Sequence, residues 1–170
     1  MEAKKFLSDW VYPIGIAVLL AIVINKFIFF NITVPTESMY PTIKAGDRIL
    51  VTRVHNTAKL KQGDIVVFHS DELKEDLVKR LIGLPGDKIE VKEDGSVYVN
   101  SSKLDEPYLQ NAGGKTGIFE VPEGSYFFLG DNRTNSLDSR WWKNPYIAGG
   151  KIMGKAKVII YPFKRFGKLK

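Results

Sequence analysis

Hydrophobic positions fall into two regimes along the chain. Residues 10–24 read WVYPIGIAVLLAIVI without a charge, and after Asn25-Lys26 the sequence resumes as FIFFNITV. So uniform an apolar surface suits a helix with apolar material on every side, rather than one half in water. The run is short for a bilayer span of ~20 residues. It reaches that length only when counted through Asn25-Lys26 to Phe30, with Lys26 reaching outward along its own stem. Pro13 lies near the start, where a missing backbone donor costs least. The apolar core is long for a secretory leader and no small-residue cleavage site follows it, which predicts an uncleaved anchor. A buried core helix is the alternative. Lys4 and Lys5 precede the run; Glu2 and Asp9 count little in the positive-inside rule, which puts the N-terminus in the cytoplasm and the remainder outside.

Beyond Pro35 the pattern changes. Turn signals recur at Ala45-Gly46-Asp47, Gln62-Gly63-Asp64, Pro85-Gly86-Asp87, Asp94-Gly95 and Pro122-Glu123-Gly124, with β-branched and aromatic runs between them. This spacing predicts a mainly β, single all-β domain over residues 32–170, behind an anchor at residues 1–31. Strands are expected at 48–54, 64–69, 125–129 and 156–161. In residues 88–100, KIEVKEDGSVYVN, alternation on both sides of Asp94-Gly95 predicts a hairpin with a type I′ turn. Residues 71–83, DELKEDLVKRLIG, are ambiguous. Leu73, Leu77 and Leu81 have helical spacing, yet the segment ends in a run that would serve equally as a strand.

Composition narrows the chemistry. The 170 residues suffice for one domain and an appendage, and 44% hydrophobic with 26% charged residues is globular. The absence of cysteine excludes disulfides, thiol nucleophiles and thiolate zinc sites. Only His55 and His69 could supply imidazole, and His69 beside Ser70 and Asp71 reads as a solvated strand end. Neither a Walker loop nor a dinucleotide fingerprint is present, and nothing calls for a metal or organic cofactor. The net charge of +6 suits a polyanion, either an anionic membrane surface or nucleic acid.

Three stretches could carry chemistry. PTESMYPT, residues 35–42, sets Ser38 between two prolines just past the apolar run. A serine without a histidine base needs another base, and a lysine can serve only when burial keeps it neutral. Lys79 is the candidate, since Leu77, Val78, Leu81 and Ile82 surround it; an ordinary exposed strand lysine is the bland alternative. If the segment is a strand, Lys79 and Leu77 share one face and Val78 and Arg80 the other. GDNRTNSLDSR, residues 130–140, is either a well-bonded turn or a loop that supports a site, with Asp138 and Arg140 placed to pair.

Together these stretches resemble the bacterial type I signal peptidase family, in its compact Gram-positive form. The resemblance runs through Pro35 to Thr42, then VKRLIGLPGD from Val78 to Asp87, then the 130–140 loop, and ends at Gly154-Lys155-Ala156. It implies a signal-peptidase-like fold and a membrane-bound serine endopeptidase, with Ser38 as nucleophile and Lys79 as general base. The Ser38 N–H and the Thr36 hydroxyl would form the oxyanion hole. Ser136 would hydrogen-bond the Lys79 amine, Asp138 and Arg140 would support the site as an ion pair, and Asp131 would order the loop. Glu37, Leu77 and Val78 would line the substrate groove. The implied partners are preprotein signal peptides, products of Sec translocation and the phospholipid membrane, with no nucleic acid and no cofactor. The implied location is the plasma membrane, single-pass, with the catalytic domain outside. Trp141, Trp142, Phe163 and Phe166 could seat the domain at the bilayer, with core packing as the alternative for each, and Lys164, Arg165, Lys168 and Lys170 either add charge attraction or form a solvated basic tail. Self-cleaving repressors share Ser/Lys chemistry but need an Ala-Gly bond ahead of the serine, and here every Ala-Gly pair follows Ser38. An anchored, non-catalytic binding domain is the remaining rival.

Overall fold

The computed structural model describes Lys5, residues 7–109 and residues 111–169. The outermost tip of the expected anchor (residues 1–4) and Lys170 of the basic tail lie outside the described residues. A π-helical turn, Leu7–Val11, leads into α1, Tyr12–Phe27, with Pro13 in its first turn. Sixteen residues at 1.5 Å each make α1 about 24 Å long. Among the described residues no helix is long and apolar enough to cross a membrane. The helix is nevertheless bare of protein cover: Ile14, Ile16, Val18, Leu19, Leu20 and Ile22 are all 53% to 60% exposed. That removes the buried-core alternative.

The apolar run does not continue as helix to Phe30. Ile28 closes α1 by donating to Ile24 O, and Phe29–Thr33 forms β1. Pairing decides this. Phe29 to Thr33 lie antiparallel to Thr52 to Arg48 of β2, Arg48–Arg53, and the Arg53 guanidinium sits 4.7 Å from the Phe30 ring centroid. A strand therefore links the helix directly to the serine segment.

The other strands are β3 (Ile65–Ser70), β4 (Glu75–Gly83), β5 (Lys88–Val91), β6 (Val97–Val99), β7 (Ser102–Lys103), β8 (Gly117–Glu120), β9 (Ser125–Leu129), β10 (Ile147–Ala148), β11 (Ile152–Tyr161) and β12 (Gly167–Lys168). They form two antiparallel sheets. The larger runs β1-β2-β11-β3-β4-β9-β10 with β12 on β11, and the smaller runs β7-β6-β5-β8. The ambiguous 71–83 segment is a tight turn followed by β4, because residues 75–80 pair with residues 65–70 of β3 in unbroken register. The hairpin at 88–100 exists, but its turn is not type I′. Gly95 is at φ +81° while Asp94 is not at positive φ, Gly95 N–H donates to Lys92 O, and Lys92 N–H donates to Ser96 O. A three-residue loop with one left-handed glycine, forming a bulge, fits these bonds.

The core follows from strands that are apolar on both faces. In IVVFHS of β3, Val66 and Phe68 face one buried cluster while Ile65 and Val67 face another. Such continuous runs mark a strand covered on both sides. Phe68 stacks on Phe128 at 4.3 Å between centroids and meets Trp142 edge-on at 6.1 Å. Trp142 is thus a core residue rather than a membrane-facing one. Arg165 is likewise engaged, pairing with the buried Asp47 and donating to Thr42 O, whereas Trp141, Phe163 and Phe166 are exposed. Phe68→Ala should lower the free energy of unfolding by about 3–5 kcal/mol. Urea titration followed by tryptophan fluorescence measures this, and a loss under about 1 kcal/mol would contradict the packing described.

Candidate active site

Ser38 owes its direction to the residue after it. Met39 is fully buried beside Ile43, Ile49 and Val51, while Glu37 before it is exposed. With the chain pinned by Met39, Ser38 turns inward and is 7% exposed. Lys79 approaches from β4, where the register Val66↔Lys79 fixes its height on the sheet. Its Nζ lies 2.5 Å from Ser38 Oγ. Thr36 Oγ1 lies 3.3 Å from the same hydroxyl oxygen.

Lys79 is only 3% exposed. Burial lowers its pKa from 10.5 to about 8, against the opposing pull of Asp138, Glu75 and Asp131. Desolvation wins because the two nearest-loop carboxylates are already matched. Asp138 accepts from Arg140 Nε at 2.8 Å and Nη2 at 2.9 Å, and its Oδ2 also accepts from Gly130 N–H at 3.0 Å. Asp131 accepts from Arg80 Nε at 2.8 Å and Nη2 at 2.6 Å, and from the Thr42 hydroxyl at 2.5 Å. A third pair, Arg133 with Glu106, closes the loop. Tyr108 adds a lid on Arg80, with its ring 3.7 Å from the guanidinium carbon and its hydroxyl donating to Glu106.

The 130–140 loop also grips the serine segment by its backbone. Asn132 N–H donates to Ser38 O at 3.0 Å, and Asn132 Nδ2 donates to Glu37 O at 3.2 Å. Gly130 allows this approach: a Cβ there would sit 2.5 Å from Ser38 O and 2.2 Å from Ser136 Oγ. Ser136 is buried against Gly130, but its hydroxyl has no hydrogen-bond partner, so the expected bond to the Lys79 amine is not formed. Close packing, rather than hydrogen bonding, fixes that side chain.

A cavity of ≈ 260 Å³ opens beside the Ser38 and Lys79 side chains. Its walls are apolar, from Ile32, Val34, Val67, Leu77 and Val78, with Glu75 and Asp76 also lining it. Leu77 and Val78 are thus among its walls. Glu37 does not line it; its side chain points to solvent while its carbonyl is held by Asn132 and Tyr40. From Glu75 to Lys79, β4 pairs with β3 on one edge, and β9 joins the other edge only from Arg80 onward. The stretch beside the cavity thus has an open edge. No group of three or more His, Asp or Glu side chains among the described residues is arranged to hold a metal.

Sequence reading missed Arg80, Thr42, Met39 and Asn132. Arg80 is adjacent to Lys79 and on the opposite strand face, but its partner lies 51 positions away. Met39 carried one signal, a large apolar side chain inside a polar turn segment.

The family model described as signal peptidase, peptidase S26, matches residues 7–161. Signal peptidase I T of Bacillus subtilis is 40% identical over 174 residues, spanning 95% of this chain and 89% of that protein. Signal peptidase IB of Staphylococcus aureus is 40% identical over 183 residues, spanning 96% and 94%. A crystal structure of a signal peptidase I from Enterococcus faecalis aligns with TM-score 0.51 and 33% identity, covering 57% of this chain and 96% of that one.

The depressed pKa gives a stability test. Charging buried Lys79 costs free energy at every pH below about 8; the cost fades as pH rises from about 8 towards 10.5, where the unfolded state loses its proton as well. Lys79→Met should therefore be more stable than wild type at pH 6–7, by up to about 3 kcal/mol, with the gap narrowing towards pH 10.5. Denaturant titrations of both proteins across that range measure the gap. A gap that does not change with pH would mean Lys79 is not depressed.

Proposed function

The chain belongs to the signal peptidase family, peptidase S26, and on that premise we propose that it cleaves signal peptides from exported preproteins with Ser38 as nucleophile and Lys79 as general base. As a member of that family it is a serine endopeptidase. The observation that carries the dyad is the 2.5 Å separation of Lys79 Nζ and Ser38 Oγ in a site that burial keeps from water. A neutral amine accepts the hydroxyl proton as Oγ attacks the scissile carbonyl carbon. The oxyanion that forms is met by the Ser38 N–H and the Thr36 hydroxyl, donors of a type worth roughly a hundredfold or more in rate. Lys79 then protonates the departing amine, and a water deprotonated by the same Nζ releases the acyl group from Ser38.

The bound signal peptide adds a strand to the open edge of β4 beside the serine segment, so that backbone bonds supply affinity. Its small apolar residues occupy the cavity walled by Leu77 and Val78. Asp131, Asp138 and Arg140 act by holding the 130–140 loop against Ser38, and Ser136 by filling the space next to Gly130. The enzyme is held at the plasma membrane by α1, with its N-terminus in the cytoplasm and the peptidase domain outside, where translocated preproteins emerge. Support for this comes from the uncovered apolar surface of α1 and from the helical turn that extends it to Leu7. The Gram-positive relatives carry the same activity in their names.

Preprotein cleavage by the full chain in detergent tests the dyad. Ser38→Ala and Lys79→Ala should each lose at least about a thousandfold in kcat/KM while keeping a native circular dichroism spectrum. Wild-type kcat/KM should rise with pH along a limb centred near 8 as Lys79 loses its proton. A folded variant that cleaves at the wild-type rate removes its residue from the mechanism.

A further inference from the structure

A second cavity, of ≈ 370 Å³, lies where α1 joins the larger sheet, and no step of the peptidase reaction uses it. Its lining carries Arg53, His55, Lys59, Lys155 and Lys157 and no carboxylate. Val54 and Leu60 give it an apolar part. Lys155 is paired with Asp64, but Lys59 and Lys157 are in no ion pair among the described residues. Ammonium groups lining a cavity with no carboxylate opposite them are donors that match phosphate oxygens.

Position specifies which phosphate. The β1–β2 register sets Thr52 opposite Phe29, so the end of β2 that forms the cavity wall is the end next to the helix. His55 Nε2 lies 2.8 Å from the carbonyl oxygen of Phe27, the last residue of α1, and Arg53 N–H donates to Ile28 O. The cavity is therefore one hydrogen bond away from the helix end. On the reading that α1 lies in the bilayer, that level is the headgroup layer. We propose that this cavity binds the phosphodiester headgroup of an anionic phospholipid, tying the peptidase domain down at the foot of its anchor. A zwitterionic headgroup would bring its own ammonium up against the lysines, which favours an anionic one.

The full chain, transferred from mixed micelles of equimolar phosphatidylglycerol and phosphatidylcholine into a native mass spectrometer, reports which lipid it retains. Wild type should retain phosphatidylglycerol at least about tenfold over phosphatidylcholine. Lys59→Gln and Lys157→Gln should each reduce that preference about fivefold, with unchanged thermal midpoint. Lys88→Gln with Lys103→Gln, which removes two charges from the smaller sheet, should leave it unchanged. Equal retention of both lipids by wild type overturns the site, as does an equal drop in the control variant, which would mean diffuse attraction. Displacement of the lipid by millimolar inorganic phosphate would mark a free-anion site and overturn the lipid assignment. Flotation with pure phosphatidylcholine vesicles tests the anchor separately. A chain that floats but shows no lipid preference loses the headgroup site and keeps the anchor; a chain that does not float loses both.

Discussion

An amine taken out of water beside a hydroxyl is the constraint on which the site depends. Lys79 and Ser38 meet only because Val66 of β3 holds the lysine at a fixed register and Met39 turns the serine inward. Water would restore the ammonium, and so would any carboxylate left free nearby. The fold answers both. Packing leaves Lys79 only 3% exposed, and each of the two fully buried aspartates close enough to matter is engaged by an arginine in two hydrogen bonds. What remains is exposed Glu75, a charge that solvent screens.

Those arginines explain why a domain with so large an apolar core also buries ions. Arg80, Arg133 and Arg140 are each no more than 2% exposed. Taking such groups from water is costly, and a buried pair gains little over an apolar one of the same shape. Removing one partner is another matter, since it strands the other charge, at a cost of about 3–5 kcal/mol. The loop is thereby committed to a single geometry. That geometry sets the Asn132 N–H on Ser38 O, so the Ser38 backbone is fixed by ion pairs whose one direct contact with the serine segment is the Thr42 hydroxyl on Asp131.

Local chemistry was legible in the sequence, and long-range pairing was not. PTESMYPT announced a constrained serine, and the 48–54 and 125–129 strands could be read from their own residues because alternation and turn signals are local. The 71–83 segment could not, since what makes it a strand is its register with β3. Phe29 and Phe30 read as more of the apolar helix because their partners, Thr52 and Val51, lie over twenty residues on. Asp131 is legible as a loop organiser but its partner Arg80 is not, and for Trp142 the sequence leaves bilayer seating and core packing open, which only its contact with Phe68 decides. Ser136 shows the limit most sharply. Its presence beside the site was readable, but the direction of its hydroxyl depends on how closely Gly130 lets two chain segments approach. The turn at Asp94-Gly95 failed on a single dihedral, which Asp94 can adopt in either sense.

The strand between α1 and Ser38 has one more consequence. β1 spans about 17 Å at ordinary strand rise, and it is paired along its whole length to β2 rather than hanging as a loose connection. Ser38 on so stiff a stem has no reach to spare. Where α1 sits in a bilayer, Ser38 works in a thin layer at one altitude, and a peptide bond is open to it only while passing through that layer. On the function proposed, selection is then by elevation before it is by sequence: the same residues a few ångströms higher or lower on a membrane-bound substrate would go uncut.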